Sequence, residues 1–375
     1  MNRKWLEKFD AVCREMPRTV ERWKAKTGAK AVGWMLTDVP EELILAAGAL
    51  PVAVLAEGVT LGEADKYFQG FACSYSRSVL DLLASGRLAF LDGVIIPYIC
   101  DTTRALDLVV KHHRFLPWTE CLRIPKTVVG EGVLPYYRRE LERLADRLAV
   151  LTGNRPNPEQ LRRAIQTMNQ VKSRLQRIRA LLREKPGAIS AAEYLGAVRA
   201  SLSLPKEEAL LLLDEFLADA TVRTQAPGRL PRVVLAGKVA EPPAVVEMIE
   251  AAGLRVVEDA LVLGGRYLET TVAEPGDPWA NLAQAQLGRW PMTGVWDSRK
   301  SRGDFLLERV RAAQAQGVIF LVQKFCEPWE IDYPGLKEVL DRAGIKNLRL
   351  ETEYQMSALE PLRTRVEAFA EMLSS

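Results

Sequence analysis

Short apolar runs rich in β-branched residues recur along this chain, and each has a helical pattern close by. In the first half they cover residues 31–36, 51–55 and 93–98, with a weaker one near 122–129. Helical patterns accompany them at 41–47, 77–84 and 103–110. A continuous apolar run of this length reads as a strand buried on both faces, as in parallel sheets covered by helices. The pattern resumes late in the chain. Strands are expected at 232–236, 254–257, 317–322 and 348–351, with helices at 243–252, 305–315, 336–342 and 360–372. Such alternation implies right-handed crossovers and mostly parallel sheets.

The two stretches are separated by a purely helical block. Leu141, Leu144, Leu148 and Leu151 recur at helical spacing, as do Leu161, Ile165, Met168, Leu175, Ile178 and Leu182. Asn157-Pro158-Glu159-Gln160 and Ser190-Ala191-Ala192-Glu193 are capping boxes that open helices. The turn-rich segment 224–229 is the best domain boundary. The expected architecture is therefore α/β, with two Rossmann-like domains. Residues 1–228 carry a helical insert at about 133–222 together with Cys73 and Cys100, and residues 229–375 carry Cys326.

Composition narrows the function. Fifty-one Lys and Arg against 48 Asp and Glu leave +3, which gives no charge-based reason to expect nucleic acid or a membrane as partner. The start of the chain is charged and unlike a secretory signal. The longest uncharged apolar run, 43–56, is broken by Pro51 and shorter than the ~18 residues a membrane span needs. A cytoplasmic location is expected. The only histidines, His112 and His113, are neighbours in a basic stretch and read as solvated surface. The basic segment 162–185 reads as the wet face of an amphipathic helix, and Gly264-Gly265 is too little for a dinucleotide loop. No Walker A or GxGxxG pattern occurs, so the chain should not hydrolyse ATP itself.

Five cysteines without a CxxC pair do not form a disulfide framework. Three share one context. Cys100 and Cys326 each follow a strand and precede a helix, and Cys73 precedes the helix at 77–84. Sites in open α/β sheets form at the carboxyl ends of strands, and helix N-termini stabilise thiolates. Three thiolates converging there suit a soft metal or an iron–sulfur cluster, although any one of them alone reads better as a small buried hydrophobe. Cys13 and Cys121 lack the context. Glu41 and Glu42 open a helix, where carboxylates ordinarily complement the dipole.

Four blocks of sequence together resemble the 2-hydroxyacyl-CoA dehydratase and benzoyl-CoA reductase family (2-hydroxyglutaryl-CoA dehydratase D-component), in its smaller-subunit type. They are Gly33-Trp34-Met35-Leu36-Thr37-Asp38-Val39-Pro40-Glu41-Glu42-Leu43, the stretch from Gly86-Arg87-Leu88 to Cys100-Asp101-Thr102-Thr103-Arg104, Gly317-Val318-Ile319-Phe320 to Cys326-Glu327-Pro328, and Glu360-Pro361-Leu362-Arg363 onward. The resemblance implies a [4Fe–4S] cluster held by Cys73, Cys100 and Cys326, with a fourth ligand from outside the protein. It implies a homologous second subunit, a CoA-thioester substrate and a separate ATP-hydrolysing iron–sulfur activator. Its chemistry would be ketyl-radical dehydration of a 2-hydroxyacyl-CoA, or ring reduction in the benzoyl-CoA branch. Family motifs place an acid/base glutamate at Glu42, should this subunit hold the substrate.

Overall fold

The computed structural model describes residues 3–374 except 37, 57–58, 225–227, 241–242, 270, 290–293, 299–300, 355 and 357. Thr37 of the first sequence block and the centre of the 224–229 boundary therefore lie outside the described residues. The first half runs α1 (Lys4–Arg14), α2 (Met16–Thr27), β1 (Ala31–Trp34), α3 (Glu41–Ala46), β2 (Leu50–Ala53), α4 (Ser74–Ala84), β3 (Gly93–Tyr98), α5 (Asp101–His113) and β4 (Thr119–Arg123). Four helices follow: α6 (Val133–Thr152), α7 (Pro158–Glu184), α8 (Ala191–Ser203) and α9 (Lys206–Val222). The second half runs β5 (Arg232–Gly237), α10 (Ala244–Ala251), β6 (Arg255–Leu261), α11 (Gly265–Leu268), α12 (Pro278–Gly288) and α13 (Arg302–Ala312). It ends with β7 (Gly317–Gln323), α14 (Glu327–Arg342), β8 (Lys346–Thr352) and α15 (Glu360–Ser374).

The strands form two four-stranded sheets, every pairing parallel, ordered β2-β1-β3-β4 and β6-β5-β7-β8. This is the expected α/β class, and the two sheets repeat one topology. Central strands are buried along nearly their whole length, and in β7 all seven residues are buried. Helices on both faces produce that burial and make the apolar runs continuous rather than alternating. In each sheet the chain steps from the first strand to one side and then returns to the other. The reversal opens a crevice at the carboxyl ends of β1 and β3, and another at those of β5 and β7.

Two local expectations need correction, and the N-terminus shows structure the sequence reading did not assign. The weak run at 122–129 is not the strand, because β4 ends at Arg123. Pro125 has no N–H to continue a ladder, and Thr127 instead makes an isolated bridge with Trp296. The charged N-terminus folds as two amphipathic helices. Trp5 and Phe9, one helical turn apart, pack tilted and edge-on into a buried cluster with Phe216 of α9, and Trp5 donates its indole N–H to Asp219 at 2.7 Å. The basic segment of α7 is not wholly solvated either. Arg174 and Arg177 pair with Asp214 and Glu184 outside. Lys172 and Arg179 turn inward, however, and Arg179 pairs with the buried Glu258 of β6. His112 and His113 are exposed at the end of α5, as expected.

Candidate functional site

Cys73, Cys100 and Cys326 each occupy the N-cap of a helix, α4, α5 and α14 respectively. An N-cap side chain faces the unsatisfied N–H groups and the positive end of the helix dipole, which favours a thiolate. Sequence dictates each placement. Behind Cys100, Thr103 accepts hydrogen bonds from the Ile99 and Cys100 N–H groups, both at 3.2 Å, and fixes the turn out of β3. Before Cys326, Phe325 adopts a left-handed φ of 61°, so the chain doubles back from β7 into α14. Leu36, just past β1, has a φ of 57°. Backbone strain in non-glycine residues thus sits in two of the loops that frame the site.

All three thiols are free and line one cavity. Its other walls include Asp38 after β1, Lys238 after β5 and Arg266 of α11. Loops from the crevices of both sheets therefore meet at one point. The cavity shares Ile99, Cys100, Glu327 and Pro328 with a cleft of about 690 Å³ that carries Lys126, Trp296, Arg302 and Asp332. Lys126 donates to the Ile99 carbonyl at 2.7 Å. Among the described residues, no three His, Cys, Asp or Glu side chains converge closely enough to grip a single metal ion. A polynuclear cluster makes a different demand, because its thiolates are shared out over several irons.

The electrostatics of the cavity are unusual. The hydrogen bond from Cys326 holds Cys73 well below the ordinary thiol range, and the same bond together with burial lifts Cys326 well above it. Lys238, 5% exposed, places its Nζ 3.7 Å from the Cys73 sulfur. Burial works against its charge, but the three thiols raise its pKa above the usual lysine value. Burial also raises the Asp38 carboxyl, opposed by Arg289, Arg266 and Lys238. Burial brings Arg266 down to about 10, so it stays cationic at neutral pH. The site is thus a buried, cation-rich pocket facing three sulfurs.

A model of the family "2-hydroxyglutaryl-CoA dehydratase, D-component" matches residues 36–373. The chain belongs to this family. It is 27% identical over 374 residues to the (R)-phenyllactyl-CoA dehydratase beta subunit of Clostridium sporogenes, with 99% of each chain covered. It is 29% identical to a benzoyl-CoA reductase subunit of Thauera aromatica, with 98% and 97% covered. To the (R)-2-hydroxyglutaryl-CoA dehydratase beta subunit of Acidaminococcus fermentans it is 24% identical, with 98% of each covered. Each of the three is named as a subunit.

Within this D-component chain, the residues singled out by sequence fall into two groups. The three cysteines come together. Glu42 does not join them: it is 1% exposed and bound to Lys172 of α7 at 3.0 Å. Burial alone would raise its carboxyl, but Lys172 holds it below the ordinary value. Its neighbour Glu41 pairs with Lys206 at 2.6 Å and accepts the Tyr267 hydroxyl at 2.5 Å. Cys13 and Cys121 do not line the cavity, and burial pushes the Cys121 thiol up to about 11. Gly264 and Gly265 serve packing, since a Cβ on Gly265 would strike the Asp259 carbonyl at 2.3 Å. Sequence reasoning missed Asp38, Lys238, Arg266 and Arg289. Asp38 lay inside the first family block, but the other three had no local signal. Among the described residues, no helix is long and apolar enough to cross a membrane.

Proposed function

We propose that this chain is the smaller, iron–sulfur subunit of a cytoplasmic 2-hydroxyacyl-CoA dehydratase. In this reading Cys73, Cys100 and Cys326 hold a [4Fe–4S] cluster whose fourth ligand is not protein. The observation that carries it is the meeting of three N-cap thiols in one buried cavity at the reversal points of both sheets. The donor set fits such a group: soft, dipole-stabilised sulfurs, two of them buried and Cys100 half-buried, a cationic wall, and no competing histidine. When bound, the cluster supplies one-electron chemistry at low potential.

The chain's own residues have three tasks. The N-cap thiols bind, and the helix dipoles favour their deprotonated form. Trp329, Val262 and Leu36 give the cavity apolar walls that would keep water from it. Asp38, its pKa raised, can hold a proton beside the sulfurs. The cleft beyond Cys100 gives a thioester or a partner residue an approach to the cavity. Phe71 and Phe325, 69% and 42% exposed, stand beside Cys73 and Cys326 in sequence and offer apolar surface to a homologous second subunit. Electrons would come from a separate ATP-hydrolysing iron–sulfur activator. In the same reading the chain divides into domains 1–228 and 229–375, with the cavity between them.

The match to the benzoyl-CoA reductase chain of Thauera aromatica supports a second reading, the equivalent subunit of an aromatic-ring reductase. A third is a cluster-holding electron-transfer subunit that never meets substrate. The deciding experiment is an iron and acid-labile sulfide count on the anaerobic chain, alone and with its co-expressed partner subunit. CoA-thioester binding is then measured to each form, and turnover of 2-hydroxyacyl-CoA and aromatic acyl-CoA by the activated complex. Four irons with hydroxyacyl turnover is the expected result. No iron in either form refutes the cluster reading, and ring reduction alone assigns the chain to the other branch.

A further inference from the structure

We propose that Lys238 sets the reduction potential of the cluster by holding a buried ammonium against the Cys73 sulfur, so that the added electron is stabilised by a fixed positive charge. The inference rests on the cluster reading above.

The placement starts at Gly237, the last residue of β5. Its φ is 151°, and a Cβ there would lie 2.2 Å from the Leu321 carbonyl of β7. Glycine thus leaves room for the Leu321 backbone of β7 beside the end of β5, where the chain enters the site. The next residue is clamped: the Lys238 carbonyl accepts hydrogen bonds from the N–H groups of Val262 at 2.9 Å and Leu263 at 3.3 Å. Its side chain then crosses the face of Tyr75, with Nζ 4.6 Å from the ring centroid. That ring is itself fixed, by its hydroxyl bond to the Val54 carbonyl at 3.3 Å and by Tyr354 at 5.2 Å between centroids. The ammonium ends 3.7 Å from Cys73 Sγ.

Among the described residues, no carboxylate lies within ion-pair distance of Lys238. A buried ammonium is costly unless negative charge faces it, and the group in contact with it is the Cys73 sulfur, with the Asp38 carboxyl of the same cavity acting on it from beyond ion-pair distance. Hydrogen bonds to ligand sulfurs and net local charge are among the quantities that set cluster potentials. Reduction adds one negative charge next to Lys238, which favours the reduced state. Lys238 is therefore a positioning residue for the electron.

The test is a dye-mediated redox titration followed by EPR on the iron-loaded chain, with its partner subunit where loading requires it, in wild type, Lys238→Met, Lys238→Gln and Lys238→Arg. The two neutral variants are expected to keep the wild-type iron content and to shift to a more negative midpoint. Arginine, which keeps the charge, should hold the midpoint near wild type. Iron-loaded Met and Gln variants with an unshifted midpoint overturn the proposal. So does loss of iron from both, which would mean that Lys238 builds the site rather than tunes it. A wild type that binds no iron, with or without its partner, overturns the cluster reading instead.

Discussion

Replacing Lys172 with Met strips the partner from Glu42 and leaves a carboxylate deep in the interior. Both side chains are 2% exposed and 3.0 Å apart. With an effective dielectric constant near 20, the attraction at that distance is about 5 kcal/mol. Burying each ion costs several kcal/mol, so the intact pair comes out near break-even. Removing one member is a different matter, because the other keeps its desolvation cost without the attraction. The expected loss is about 3–5 kcal/mol, a large part of the roughly 5–15 kcal/mol that a folded domain has. Adding Glu42→Gln to Lys172→Met should restore most of it, since neither charge then remains.

The pH dependence fixes the sign. Lys172 holds the folded-state carboxyl of Glu42 below its ordinary value. Its contribution is therefore present above the unfolded value of about 4.3 and lost as pH falls through the folded one. In Lys172→Met the order reverses, because burial alone raises the carboxyl. The penalty should then be larger at pH 8 than at pH 5. Urea denaturation followed by far-UV circular dichroism measures the wild type, the single and the double variant at both pH values. A loss below about 1 kcal/mol for Lys172→Met, or a double variant no more stable than the single, would refute the reasoning. The same result would reopen Glu42 as a movable acid/base group rather than an anchored anion.

Cys100→Ala should abolish bound iron with the far-UV spectrum intact, while Cys13→Ala, remote from the cavity, should change neither; the iron assay used for the wild type decides both. Gly237→Ala should destabilise by at least about 1–3 kcal/mol through backbone strain, because its Cβ meets the Leu321 carbonyl. A midpoint of thermal unfolding equal to wild type would contradict that. Glu250 accepts the Ala191 N–H in the interior, and burial raises its carboxyl to about 7. A raised acid contributes stability below its unfolded value that is lost as pH rises through the folded one. Glu250→Gln should therefore gain on the wild type between about pH 4.5 and 7, and parallel stability curves over that window would rule the effect out.

The contrast between the cysteines and Lys238 shows what a sequence can carry. Cys100 and Cys326 stand two and three residues beyond buried apolar strands and immediately before helices. Strand-end chemistry in α/β sheets is a local pattern, so the sequence was enough to select them. The four central strands were legible for the same reason, since burial on both faces leaves an unbroken apolar run. β4 was not, because three of its five positions face at least partly outward and its run blurs into the segment beyond Pro125. The N-terminal helices were hidden because charged residues dominate their outer faces, leaving Trp5, Leu6 and Phe9 to mark the inner face of α1 and Met16 and Val20 that of α2. Lys238 carries no local mark at all. It is a lysine after a glycine, in a chain with 51 basic residues. Its position depends on β5 meeting β7 at Gly237, on the Tyr75 ring, and on a thiol 165 residues away. Glu42 shows the opposite limit. Its motif was legible, but its environment depends on Lys172, 130 residues distant. A pattern of residue types can therefore nominate the atoms that bind, whereas the charges that tune them become visible only when the two sheets are seen to converge.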